Sequence, residues 1–449
     1  MPDSRHAALA LIVSALVSGP ASAQSLGAAY RAALTRDPEW LSAREDAAAS
    51  GEGDAQARAL FLPKVAAIGG GGYSQTKVDV TLPPPVQNID RLSRSGGAVY
   101  GLVTAQQPLL NGQASAQARQ LRAGVKAGAA QLEGTRQQLM LRVAEAYFSV
   151  LAAREERDSF AAQEASARRE QRAAQARFDV GRAKITDVRE AQARGDGAAA
   201  QRIEADGRVD TATARYAELT GLDGSSVVPL RPDIVPVLPA GSLTDWQRRG
   251  ETASPAVTAR GYAADAASAH VGEYSWKSRV RVDAMAGAAS VRFPRIGENL
   301  ASIDRIGGYS VGVRLQVPLY TGGALESQRR QAAAQARSAR EQVDMARRDV
   351  RLNVQQAWTV QSGSVAGIAA LRTAVASARL QEKAAITGRE VGVRTQSDVL
   401  MAQAQVIESE RRLGDALRGY ERSRLSLYAA AGELDEQRLN DIDRDLVRP

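Results

Sequence analysis

The sequence predicts an α+β membrane protein in which very long helices join a few short amphipathic strands, the whole plan being laid down twice. Three observations carry this. Proline-free Ala/Gln/Arg-rich stretches run for 65 residues from Ala114 to Phe178 and for 67 from Ala324 to Glu390. Pairs of short stretches that alternate apolar and polar residues precede each of them. Two groups of sequence markers recur at a nearly constant distance along the chain.

The N-terminus reads as a secretory leader. Arg5 and His6 open it, an apolar run follows from Ala7 to Val17, Gly19-Pro20 breaks the run, and Ala21-Ser22-Ala23 has the small-residue form that signal peptidase accepts. The bland alternative is a short buried helix. The run falls short of the roughly 20 apolar residues that a spanning helix needs. Cleavage after Ala23 starts the mature chain at Gln24, and no later apolar run is long enough to span a bilayer as a helix. An exported chain of this kind is either soluble outside or inserted as a β-barrel.

Composition narrows the function classes. The 449 residues are 44% hydrophobic, 24% charged and only 4% aromatic, which suits long helices better than a compact mixed core. The formal net charge is +8, but the arginines are dispersed among Glu, Asp and Gln, so solvated helix faces explain them better than nucleic-acid binding does. There is no cysteine, which excludes disulfides, thiolate metal sites, a cysteine nucleophile and an acylated N-terminal cysteine. His6 leaves with the leader, and a lone His270 supports neither a hydrolytic triad nor a metal site. Gly69 to Gly72 is not followed by Gly-Lys-Ser/Thr, so it is no phosphate loop. An enzyme is disfavoured, and no cofactor or metal is expected.

The internal duplication is legible residue by residue. QQPLLNGQASAQARQ from Gln106 corresponds to LQVPLYTGGALESQRRQ from Leu315, with Pro108 matching Pro318 and Gly112 matching Gly322, each 210 residues on. FDVGRAKITDVREAQAR from Phe178 corresponds to REVGVRTQSDVLMAQAQ from Arg389, with Val180-Gly181 matching Val391-Gly392 and Asp187 matching Asp398, 211 residues on. That period is far too long for a solenoid. After the leader at 1–23, the expected organisation is a first repeat at 24–220, a proline-rich linker at 221–241, a second repeat at 242–432 and a tail at 433–449. Pro229, Pro232, Pro236 and Pro239 keep the linker from being helical throughout. Each repeat starts with a helical lead-in, Leu26 to Leu60 and Leu243 to about Tyr274.

Strands are expected at Val65–Leu82, Val99–Leu110, Arg279–Ala286 and Ser310–Leu319. In the last, Val311, Val313, Leu315, Val317 and Leu319 point one way, while Ser310, Gly312, Arg314 and Gln316 point the other. Runs of about ten residues with this alternation are the membrane-barrel pattern, and Tyr73, Tyr100, Tyr309, Tyr320, Phe61 and Phe293 lie where an interfacial girdle would. A soluble sandwich edge is the alternative. Four strands cannot close a membrane barrel, for which about eight is the minimum, so several chains must share one. A helix of 65 residues would be roughly 100 Å long and must be packed in a coiled coil or bundle. Leu139, Val143, Tyr147 and Val150 form one stripe, and Met140, Ala144, Phe148 and Leu151 form its neighbour. Two adjacent stripes suit a helix packed on two sides, as in a cylinder, whereas a plain rod would show a single Leu/Ile seam.

These features together resemble the TolC family of outer-membrane efflux and type I secretion ducts, over essentially the whole mature chain. The most specific pieces are RFDVGRAKITDVREAQAR from Arg177, GVRLQVPLYTGGALESQ from Gly312 and REVGVRTQSDVLMAQAQ from Arg389. The resemblance implies a homotrimer, with four strands from each subunit forming one transmembrane β-barrel in outer-membrane lipid and long helices forming a periplasmic α-barrel. It implies a periplasmic adaptor and an inner-membrane ABC transporter or other pump as partners. Lacking the acylated cysteine of many drug-efflux members, the chain looks more like the non-acylated branch, which includes type I secretion ducts for toxins and enzymes as well as general efflux, and the resemblance favours type I secretion with multidrug efflux as the alternative.

By the same resemblance, the turn motifs Val180-Gly181 and Val391-Gly392 would lie at the closed periplasmic tip. Thr186, Asp187, Arg394 and Arg389 would belong to the gate, with Asp187 and Arg394 pairing across neighbouring coiled coils. Asp398 would form an acidic, cation-attracting ring. Two departures alter this network: Met401 stands where the family has a second ring aspartate, and Arg389 where it has a gate tyrosine. Helix capping accounts for the same residues without any gate: Thr186 or Asp187 reads as an N-cap, Asp187 with Glu190 as a capping box, and Ser397 as the cap of the other helix. An exported coiled-coil adhesin is the structural rival, and the paired strands in each half speak against it.

Overall fold

The computed structural model describes residues 25–80, 89–292 and 305–447. The expected leader, Leu82 and Phe293 lie outside the described residues.

The lead-in is three helices rather than one: α1 (Leu26–Ala33), α2 (Pro38–Gly51) and α3 (Gly53–Ala59). Pro38 causes the first break, since proline is tolerated in the first turn of a helix but not inside one. Strands β1 (Lys64–Val80) and β2 (Ile89–Asn111) follow, and β2 runs directly into α4 (Gly112–Asp179). After a short turn comes α5 (Ile185–Thr220). The linker carries a single 3-10 turn at Gly224–Ser226. The second lead-in is also broken by a proline, into α6 (Leu243–Ala253) and α7 (Pro255–Glu273), and a one-turn α8 (Trp276–Arg279) precedes β3 (Arg281–Arg292). Then come β4 (Arg305–Gln316), α9 (Ala324–Glu390), α10 (Gln396–Ala430) and α11 (Glu436–Asp443). The two hairpins are near copies in length, 68 and 36 residues in one and 67 and 35 in the other.

Several strand boundaries differ from the sequence reading: β2 starts at Ile89 rather than Val99, and β4 at Arg305 rather than Ser310. Arg279 and Val280 fall in or beside α8, so β3 starts later and runs on to Arg292. β4 ends at Gln316, leaving Val317, Leu319 and Tyr320 outside it; Pro318 has no N–H to donate to a ladder, so the strand stops before it.

The chain divides into two compact units. One comprises described residues from 43–134 and 255–349 and holds the sheet, with the N-terminal segments of α4 and α9. Its four strands are antiparallel in the order β1-β2-β3-β4.

The other unit takes its described residues from 1–42, 135–254 and 350–449. Its core is built on the two predicted stripes of α4. Leu139, Val143, Tyr147 and Val150 are buried, and so are Met140, Ala144, Phe148 and Leu151. They pack with Leu26 and Tyr30 of α1, Tyr216 of α5, Leu425 of α10 and Leu439 and Ile442 of α11. The Tyr147 hydroxyl donates to the Val228 carbonyl at 2.9 Å and accepts from the Val228 N–H at 3.1 Å, tying the linker to α4. Asp443 of α11 accepts the Leu26 N–H at 2.7 Å and the Gly27 N–H at 3.1 Å, so the C-terminal helix satisfies two of the free amides that open α1. The dispersed arginines bind helix to helix: Arg202 to Glu164 at 2.7 Å, Arg208 to Glu156 at 3.0 Å and Arg379 to Glu410 at 2.5 Å. That accounts for part of the basic charge without a polyanionic partner.

Candidate channel gate and membrane face

Both helical hairpins turn by the same chemistry. α4 ends with Gly181 in the left-handed region at φ 76°, its N–H donating to the Phe178 carbonyl at 2.8 Å, while Arg182 donates back to Arg177 at 2.7 Å. α9 ends with Gly392 at φ 83°, with Gly392 donating to Arg389 at 3.1 Å and Val393 to Gly388 at 2.8 Å. These paired bonds form a Schellman stop, which needs a residue without a Cβ penalty at the left-handed position. Beside the glycines, Val180 and Val391 are exposed apolar side chains.

The return helices start earlier than the sequence suggested. The N-cap residues are Lys184 and Thr395, not Thr186, Asp187 or Ser397. Asp187 and Asp398 both occupy the third helical position. The Asp187 carboxylate accepts the Lys184 N–H at 3.1 Å. Lysine has no side-chain acceptor, so the reciprocal half is missing there, and the Asp187 N–H donates to the Lys184 carbonyl at 3.1 Å instead. The second hairpin has the full capping box: Asp398 accepts the Thr395 N–H at 2.8 Å, and its own N–H donates to the Thr395 hydroxyl at 3.2 Å. Hydrogen bonding from Thr395, through backbone and then side chain, holds the Asp398 carboxyl below the ordinary carboxylate range, and the charge of Arg394 adds to this. The Thr395-x-x-Asp398 spacing was the available sequence signal for this cap.

Among the described residues, no ion pair joins Asp187 to Arg394. Thr186 lies at 3.5 Å from Asp187, and Arg389 donates to Gln396 at 2.8 Å on the exposed surface. Met401 is 60% exposed and lines a groove of about 630 Å³ with Glu170, Arg194, Glu382 and Ser397.

The sheet is the second functional element. Antiparallel partners share a face, so the register sorts the side chains. Val65 pairs with Ala105, Ala105 with Ala286 and Ala286 with Val311. That face also carries Val103, Ala284, Tyr309, Val313 and Leu315. The opposite face carries Lys64, Gln106, Thr104, Asp283, Arg314 and Gln316 toward the helices, and Ile68, Tyr100, Leu102, Val291 and Ile306 toward the other end. Val311 is 82% and Val313 69% exposed, an apolar surface that a water-soluble sheet does not leave bare. Among the described strands, β1 and β4 each have a neighbour on one side only. No described helix is long and apolar enough to cross a membrane.

A four-stranded sheet whose faces divide into apolar and polar in its helix-proximal half, continuous with long helical hairpins, fits an outer-membrane channel subunit whose helices reach into the periplasm. The sequence profile described as "Outer membrane efflux protein" matches residues 29–222 and 262–433, and the chain belongs to that family, whose members are channels and not enzymes. It is 26% identical over 448 residues to the outer membrane protein TolC of Vibrio cholerae, covering 98% of each chain. It is 28% identical to the alkaline protease secretion protein AprF of Pseudomonas aeruginosa, covering 93% of this chain and 86% of that one. Among solved structures, the CmeC outer membrane channel of Campylobacter jejuni superposes with a TM-score of 0.76 at 14% identity, covering 99% of this chain and 96% of that one.

Proposed function

We propose that three copies of this chain form an exit duct for type I, ABC-transporter-driven secretion of a protein such as a toxin or exoenzyme. The observation that carries the shared barrel is the amphipathic sheet with two open edges. Four strands with one lipid-compatible face close a barrel only when β4 of one copy pairs with β1 of the next. Three copies give twelve strands, an even number within the range of membrane barrels. The secretion reading draws support from the likeness to AprF and to the proteases secretion protein PrtF of Dickeya chrysanthemi, 28% identical over 96% of this chain. Efflux is the second reading, favoured by the likeness to the outer membrane efflux protein BepC of Brucella suis, 30% identical over 60% of this chain.

In this reading the two repeats and the linker at 221–241 place two helical hairpins per copy in a periplasmic cylinder. The turns at Val180-Gly181 and Val391-Gly392 mark its tip. Asp187, with Thr186 beside it, meets Arg394 of an adjacent coiled coil, Arg389 lies next to that contact, and Asp398 repeats around the axis as a cation ring. A periplasmic adaptor and an inner-membrane ABC transporter complete the path.

The test is complementation in a Gram-negative host whose own exit duct is deleted. This chain would be expressed there with the exporter and adaptor of a protease-secretion system, and separately with a drug pump. The expected result is active protease in the medium. Restored dye and detergent resistance without secreted protease would overturn the secretion reading in favour of efflux.

A further inference from the structure

The apolar face of the sheet ends in two arginines. Arg292 on β3 and Arg305 on β4 are directly opposed partners in the register, and both are exposed. Their positions alternate in phase with Ala286, Val311 and Val313, so they share that face, while Tyr100, Val291 and Ile306 lie on the other face at this end of the sheet. Like charges directly opposite each other on a sheet are unfavourable unless something neutralises them. Among the described residues no carboxylate pairs with either; Arg305 instead donates to the Ser290 hydroxyl at 3.2 Å.

Their height is informative. Leu315 stands near the helix-bearing end of β4, and Arg305 is ten residues away from it. At about 3.3 Å per residue and a tilt of about 40°, that separation spans roughly 25 Å along the membrane normal, the height of a barrel's apolar band. α4 follows β2 at Asn111–Gly112 and α9 follows β4, so the helices leave from the opposite end of the sheet. Arg292 and Arg305 therefore stand at the outer rim, facing lipid, with the exposed ring of Tyr309 below them.

We propose that Arg292 and Arg305 form a clamp for the phosphate of an outer-leaflet lipid headgroup. The clamp rests on the barrel reading above, because only that reading turns this face to lipid. Guanidinium forks match phosphate oxygens bidentately, and an anion held between the two would remove their mutual repulsion. Ser290 keeps one fork in place from the same face.

The full-length protein, purified into nanodiscs, would be offered bis-phosphorylated lipid A, the same lipid without phosphates, or inorganic phosphate as a soluble competitor. Native mass spectrometry would count bound lipid, and heat-modifiable mobility would report insertion of each variant. The R292S/R305S variant should insert normally yet bind phosphorylated lipid A about thirtyfold more weakly. R292K/R305K should retain most of the binding. Removing the phosphates should weaken binding to the wild type as much as the serine substitutions do, and millimolar inorganic phosphate should not compete. Undiminished retention by an inserted R292S/R305S protein would overturn the clamp, and so would effective competition by inorganic phosphate. Failure of the wild type itself to insert would overturn the barrel reading and the clamp with it.

Discussion

Placing arginine at Val311 separates the two faces of the sheet most sharply. With the apolar band running from Leu315 to Arg305, each step of two residues rises about 5 Å along the normal. Val311 then sits about 10 Å from the inner edge, close to the midplane, and its side chain is on the apolar face. V311R should therefore cost about 2–4 kcal/mol per copy, the range for a basic residue at the midplane of a barrel's lipid face. L315R, near the band's edge, should cost about 0–1 kcal/mol. G312R is the decisive control. Gly312 is the next residue along the same strand but lies on the polar face, and a Cβ there meets no heavy atom within 4 Å. It should assemble almost as well as the wild type. Urea titration of protein folded into liposomes, with assembly yield in the outer membrane as a second readout, measures the order. Equal damage from G312R and V311R would show that the two faces do not differ in solvent.

Four further outcomes follow from the geometry. D187N keeps an acceptor for the Lys184 N–H while removing charge; if Asp187 meets Arg394 at the gate, D187N and R394A should each raise single-channel conductance, and the double variant should add little. Unchanged conductance in D187N would reduce Asp187 to a helix cap, while D398A should lower cation preference with little change in opening. T395A breaks the capping box at the second turn and should cost about 1 kcal/mol in thermal unfolding, a loss that T395S should largely restore. Y147F strands the Val228 N–H and carbonyl at the linker and should cost about 1–3 kcal/mol, read in denaturant titration. Glu421 is fully buried; burial pushes its carboxyl up to about 7, against the pull of Arg424 and with the push of Asp445. Its folded pKa lies above the unfolded value, so its stabilising contribution is full below about pH 4.5 and is lost as pH rises through 7. E421Q should flatten that dependence, and a wild type as stable at pH 8 as at pH 5 would contradict the assignment.

The helices were legible because their signals are long. Proline-free runs placed α4 and α9 to within about two residues, and the stripe residues of α4 from Leu139 to Leu151 lie in the core. The turns were legible because only glycine fits at Gly181 and Gly392. Strand ends were not: β4 was expected to run past Pro318, where alternation continues through Val317 and Leu319 although the ladder cannot. The breaks before Pro38 and Pro255 were passed over because helical composition continues across them. Caps were misplaced by two or three residues because Ser397, Thr186 and Asp187 are good capping residues, whereas the backbone places its N-caps at Lys184 and Thr395. Ion pairing between Asp187 and Arg394 is a question about neighbouring coiled coils, and one chain's hydrogen bonds do not answer it.

The open edges of β1 and β4 have a genetic consequence. In a barrel shared between copies, each would supply one arc of a closed hydrogen-bond circuit, so a copy with a faulty edge would spoil every ring that it entered. In a cell making equal amounts of sound and faulty chains, only roughly one ring in eight of a three-copy barrel would be free of the fault. A proline at the middle of β4 should therefore behave as a dominant allele, whereas a lesion that stops the chain from folding before it reaches the membrane should be recessive.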